Sequence, residues 1–160
     1  MVFKSQSAMI LLAIISLLLG ECQSPYHEII VVPKSYVGYI VIIYGQEKGI
    51  SEEFSGKSRL YNIPSNGILL TRFSNIHGWS ELPKFYNGSI LGSNEIPFVV
   101  EFENIPENQI YAFGGTSGVA NKDLSGNEVV RFKHFYIGNK NQILKSIEKA
   151  EKLDIIKLTE

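Results

Sequence analysis

The sequence predicts a mainly β protein, an antiparallel β-sandwich with a C-terminal amphipathic helix. Three observations carry that expectation. Val37–Tyr44 is a run of β-branched and aromatic residues that is apolar on both faces, as a strand covered on both sides must be. Turn chemistry separates the short apolar runs, at Gly45–Gly49, Asn62–Gly67 and Asn87-Gly88. Finally, Ile143, Leu144, Ile147, Ala150 and Leu153 follow helical spacing, with Lys145, Glu148, Lys149 and Lys152 between them. A chain of 160 residues allows one domain with a real core. A net charge of −1, with arginines only at Arg59, Arg72 and Arg131, lacks the basic footprint of a nucleic-acid binder.

Residues 1–21 read as a signal peptide. Lys4 supplies the positive start, and the apolar run Ala8–Gly20 is shorter than the roughly 20 residues a membrane span needs. Cys22 is the one cysteine and stands just past that run. With Leu19 and Gly20 it resembles the lipobox of bacterial lipoproteins, although Glu21 replaces the small residue usual before the cysteine. The resemblance implies lipid attachment at Cys22. Residues 22–28 are then a flexible leader, and 29–160 a single domain with its helix at 141–153.

Ile29–Val32 is the first strand and ends at Pro33. The short Pro33-Lys34-Ser35 link makes it either the neighbour of the long strand or its counterpart in the other sheet. Arg59–Ile63 and Ile68–Phe73 are strands joined by a turn around Pro64 and Gly67. Ser74–Lys84 reads as a long loop carrying His77 and Trp79. Lys84–Leu91 reads as a hairpin, because Asn87-Gly88 suits a type I′ turn. That tight turn argues against using Asn87-Gly88-Ser89 as a glycosylation sequon. Pro97–Glu103 alternates as a half-buried strand. Asn104-Ile105-Pro106-Glu107-Asn108-Gln109-Ile110 echoes Asn62-Ile63-Pro64-Ser65-Asn66-Gly67-Ile68, as two strand exits of one kind would. After a short strand Ile110–Phe113, the Gly-rich Gly114–Gly126 reads as a second loop. Glu128–Ile137 is the last strand. The helix needs a partner surface, and the second face of the central sheet can supply it. Asp154–Glu160 is a frayed end or a short strand.

Taken together, the block Gly38–Tyr44, Gly49, the stretch Arg59–Thr71 (RLYNIPSNGILLT) and Arg131–Gly138 (RFKHFYIG) resemble an uncharacterised family, a domain of unknown function found in small secreted or lipid-anchored proteins of Bacteroidetes-type bacteria. The resemblance implies an envelope location and brings no catalytic residues. The strand followed by Ile63-Pro64 is also similar to prealbumin-type and immunoglobulin-like sandwiches. No acidic run follows Cys22, so the periplasmic side of the cell envelope is the expected site.

His77 and Trp79 are the candidate binding residues, since an aromatic beside a histidine in a loop can stack on a sugar or receive a peptide. His134 shares a strand face with Val130, Phe132 and Tyr136, and with a nearby carboxylate either His134 or His77 could serve a hydrolase or isomerase. No metal motif is present: there is no paired cysteine and no His-Glu-x-x-His, which leaves only a tertiary grouping of His77, Glu81 and Asp123. Gly114-Gly115-Thr116-Ser117-Gly118 lacks the Gly-Lys-Ser/Thr of a phosphate loop and the spacing of a nucleophile elbow. Glu52-Glu53 and the pair Glu101 and Glu103 read as solvated strand edges. The expected protein is therefore a non-enzymatic envelope protein without a cofactor. It would hold the membrane by a lipid anchor and bind an envelope protein or glycan through Ser74–Lys84 and Gly114–Gly126. A structural assembly subunit that associates through its sheet edges is the further alternative.

Overall fold

The computed structural model describes residues 27–76, 81–123 and 125–160. The strands are β1 Glu28–Val32, β2 Gly38–Ile43, β3 Glu53–Ser55, β4 Ser58–Asn62, β5 Ile68–Leu70, β6 Lys84–Asn87, β7 Glu95–Ile96, β8 Phe98–Val99, β9 Tyr111–Asn121 and β10 Val129–Gly138; helix α1 is Lys140–Ala150. They form two five-stranded sheets, ordered β3-β4-β1-β6-β7 and β5-β2-β10-β9-β8. The inner faces pack on each other. Ile30, Val32 and Phe85 of the first sheet meet Ile40, Ile42, Phe135 and Ile137 of the second, and Phe85 meets Phe135 edge-on at 5.2 Å.

The apolar second face of β2 has its cover. Val41, Ile43 and Val130 pack under Ile155, with Leu153, Ile156 and Leu158 around them. Ile143 and Ala150 of α1 pack with Tyr136 and Ile105. The molecule is thus a sandwich with a third layer of helix and tail. A capping box starts the helix: Asn139 Oδ1 accepts from Gln142 N at 3.0 Å, and Gln142 Oε1 accepts from Asn139 N at 3.0 Å. The tail is neither frayed nor a strand. Ile155 is buried, and Lys157–Thr159 closes as a 3-10 turn.

Both sheets are mixed rather than antiparallel throughout. β1 pairs in parallel with β4 and with β6, β2 with β5, and β8 with β9. The cause is the path of the chain. Links that cross between sheets bring β5 in alongside β2, and β6 alongside β1, in the same direction, while residues 100–110 carry the chain back so that β9 starts from the same end as β8. The two Asn-Ile-Pro segments are not the same strand exit: the first leaves β4 and the second follows the 3-10 turn Phe102–Asn104, and their buried isoleucines, Ile63 and Ile105, belong to different parts of the core.

Three element expectations change. Asn87-Gly88 does not turn the chain, because Asn87 Oδ1 accepts from Ser35 N at 2.8 Å and Gly88 N donates to Val32 O at 2.8 Å, which extends the ladder with β1. The return strand is β7, reached after a 3-10 turn at Gly92–Asn94, with Phe85 opposite Ile96. Pro97–Glu103 keeps strand geometry only at Phe98–Val99, and Phe102–Asn104 is a 3-10 turn. Gly114–Asn121 is not loop but the longer part of β9. β10 offers it a continuous partner, and Gly114 and Gly115, both at positive φ (113 and 97), absorb a bulge opposite His134 and Phe135.

Candidate functional site

The ends of several elements meet at the end of the sandwich where β1 begins. β2 leaves the sheet at Tyr44, whose N–H donates to Arg131 O at 2.9 Å. Gly45 N and Gln46 N then donate to Phe73 O (2.8 Å) and Thr71 O (2.9 Å). Gln46 Nε2 returns to Tyr44 O at 2.8 Å, and Arg72 Nε holds Glu47 O at 3.1 Å. This scaffold floors a cleft of about 640 Å³. Its walls include Lys48, Ser74, Asn75, Lys122, Val129 and Arg131.

Both segments expected to bind contribute to the cleft. The loop after β5 is staked at each end: Arg59 Nη1 donates to Ser74 O at 2.6 Å, and Glu81 Oε2 meets His27 Nδ1 at 3.0 Å. The expected second loop shrinks to the β9–β10 turn. There Asp123 takes the Ser125 hydroxyl and the Glu128 N–H, and these bonds, Ser125 first, hold its carboxyl below the ordinary range. Lys122 stands at the cleft beside this turn. Lys48, Lys122 and Arg131 face Glu47 as its only carboxylate among the lining residues, and none of the three cations enters an ion pair among the described residues. The cleft is therefore cationic on a chain of net charge −1.

Beneath it lies a buried polar group. Glu28 is 2% exposed; its carboxylate meets Lys133 Nζ at 2.8 Å and accepts from Tyr61 Oη at 3.3 Å. Burial, then the Glu28 charge, pushes the Tyr61 and Tyr44 hydroxyls well above their ordinary 10.0. Both stay protonated at neutral pH and act as structural dipoles rather than acid-base groups. This cluster was not foreseen. Glu28 looks like part of a solvated leader, and only the packing of β1 against Lys133 of β10 in the opposite sheet reveals its partner.

His134 lies opposite Val41 and Thr116, on the sheet face that carries Val130 and Tyr136. Its ring lies 5.0 Å from Phe132 and 6.5 Å from Tyr136. Its Nε2 is buried and has no hydrogen-bond partner, and burial lowers its pKa. No carboxylate pairs with it among the described residues, and it does not line the cleft. The hydrolase or isomerase arrangement expected of His134 is therefore not assembled. His77 and Trp79, and Cys22 with the signal segment, lie outside the described residues, as does the grouping of His77 with Glu81 and Asp123.

The model of a family of unknown function, DUF6843, matches residues 25–146. No curated protein matches the chain. Among solved structures, a candidate lipoprotein from Bacillus anthracis is similar, with a TM-score of 0.50 and 11% identity over 71% of each chain. At that identity the likeness concerns the fold. The expectation of a family of unknown function thus holds, while its Bacteroidetes-type attribution finds no support in these matches.

Proposed function

The chain belongs to DUF6843, a family of unknown function, and from that premise we propose that it is an exported envelope protein, tethered by lipidated Cys22, that binds a partner in the cationic cleft without carrying out chemistry on it. The observation that carries this reading is the convergence of Ser74, Asn75 and Lys122, from the two segments richest in loop chemistry, on one cleft with Lys48 and Arg131. The description of the structurally similar Bacillus anthracis protein as a candidate lipoprotein and the apolar segment before Cys22 support the tether. Each buried acyl methylene contributes about 0.8 kcal/mol, and two or more chains give stable anchoring.

Geometry then sets the orientation. Even fully extended, the leader from Cys22 to Glu28 spans only roughly 20 Å. The tether leaves the domain at the cleft end, so the cleft addresses a partner at the membrane surface. Three cations against Glu47 suit an anionic one, such as a phosphate- or carboxylate-bearing glycan or an acidic protein face.

The test has two arms. Intact mass of the protein from its native membrane is expected to show a start at Cys22 with added acyl mass; an unacylated chain removes the tether. Crosslinking in the envelope is expected to lose its captured partner in K122E/R131E, and unchanged capture removes the cleft. H77A and W79A in the same assay report whether His77 and Trp79 take part.

A further inference from the structure

The second sheet has one long edge that no other described residue pairs with. β9 runs from Tyr111 to Asn121, yet β8 pairs with it only at Ala112 and Phe113. From Gly115 to Asn121 its outer side makes no backbone hydrogen bond among the described residues. Gly115, Thr116, Ser117, Val119 and Asn121 are exposed, Val119 by 54%. The other edges are short or occupied. β3 has three residues and carries Glu53, and β7 and β8 have two each. β5 has Ile50 on its outer side, bonded to Leu70 O at 2.8 Å and to Arg72 N at 3.0 Å. Proteins usually protect a long edge with charge or proline; Gly114–Asn121 (GGTSGVAN) has neither.

We propose that this edge pairs with the same edge of a second copy of the chain, antiparallel about Gly118. A two-fold axis perpendicular to the sheet keeps side chains on their own face, so residues of equal parity stand opposite each other. Centring on Gly118 sets Ser117 against Val119, Thr116 against Ala120 and Gly115 against Asn121. Self-pairing is the arrangement for which an uncharged segment matters most, since any charge near the centre would meet its own kind. Length fits as well: the partner's strand fills the gap between β8 and the β9–β10 turn. Three glycines and small side chains let the two backbones approach. The outcome is one sheet continuing through β5-β2-β10-β9 into its symmetric copy.

The full chain is expected to sediment as a dimer at micromolar concentration. S117E/V119E sets carboxylates opposite each other across the axis, while in its own chain the new groups face Lys133 and Arg131. This variant is expected to keep its fold by circular dichroism and to sediment as a monomer. S117E/V119K sets glutamate against lysine across the same axis and is expected to restore the dimer. A wild type that stays monomeric, leaving the edge for a strand of another protein, overturns the proposal. So does a dimer that persists in S117E/V119E, or one that S117E/V119K fails to restore. None of these variants replaces Cys22 or a cleft cation, but position 119 stands opposite Arg131, so the dimer is read by sedimentation alone and the cleft by K122E/R131E.

Discussion

Gly67 shows how closely one residue can be specified. Its φ is +79, and a Cβ there would overlap both Tyr36 Oη and the Tyr39 carbonyl. These two atoms are hydrogen-bonded to each other, and Val41 N donates to Gly67 O at 2.8 Å. Burial of Tyr36, aided by Tyr39, pushes its hydroxyl up to about 12, so it remains a donor. Gly67→Ala should cost about 2 kcal/mol or more, read as a lower urea midpoint with the slope unchanged. Here the sequence was legible, since Pro64 and Gly67 already marked the turn. His134 was legible only in part. Its strand face followed from alternation, but its isolation from carboxylates depends on which strands flank β10. Burial disfavours its charged form, so the unfolded chain binds that proton more readily. Its stabilising contribution is full above the ordinary 6.5 and is lost as pH falls through the depressed folded value. H134Q should reduce the loss of stability between about pH 7 and about pH 5, measured by urea unfolding at each pH.

Among the elements, the tail was misread and β9 was read only at its start, as Ile110–Phe113, for related reasons. Ile155, Ile156 and Leu158 have no regular period, so only the sheet face beneath them explains their burial. Gly114–Asn121 has loop composition, and β10 overrides that local preference by offering a full ladder. By contrast β2 and α1 were plain, because β2 is a long unbroken apolar run and α1 carries a helical period and starts at a complete cap. Ile155→Ala should cost roughly 2 kcal/mol, since it uncovers Val41 and Ile43 on the outer face. Equilibrium unfolding of that variant checks the value, and an unchanged midpoint would mean that the tail does not hold the sheet.

For the molecule as a whole, the two ends of the sandwich have different prospects. Lys48 stands at the leader end, and Asn66 in the turn at the opposite one, beside Tyr36 and Tyr39. In membranes carrying the tethered protein, a thiol at K48C should react more slowly with a bulky polar reagent than one at N66C; equal rates would count against a membrane-facing cleft. The sandwich class could be read from the sequence because turn spacing and apolar runs are local signals. The parallel pairs and the meeting of Lys48, Lys122 and Arg131 could not, since both depend on which strands distant in sequence become neighbours. One of those distant pairings also bears on how the chain is made. The middle strand of the second sheet, β2, finds its antiparallel neighbour only in β10, with Gly38 opposite Ile137, and its outer cover comes later still. Until β10 has been made that sheet has no centre, and pairing across so long an interval of chain is slow. Slow pairing of this kind suits the export proposed above, because a chain threaded through a membrane pore must still be unfolded when it enters.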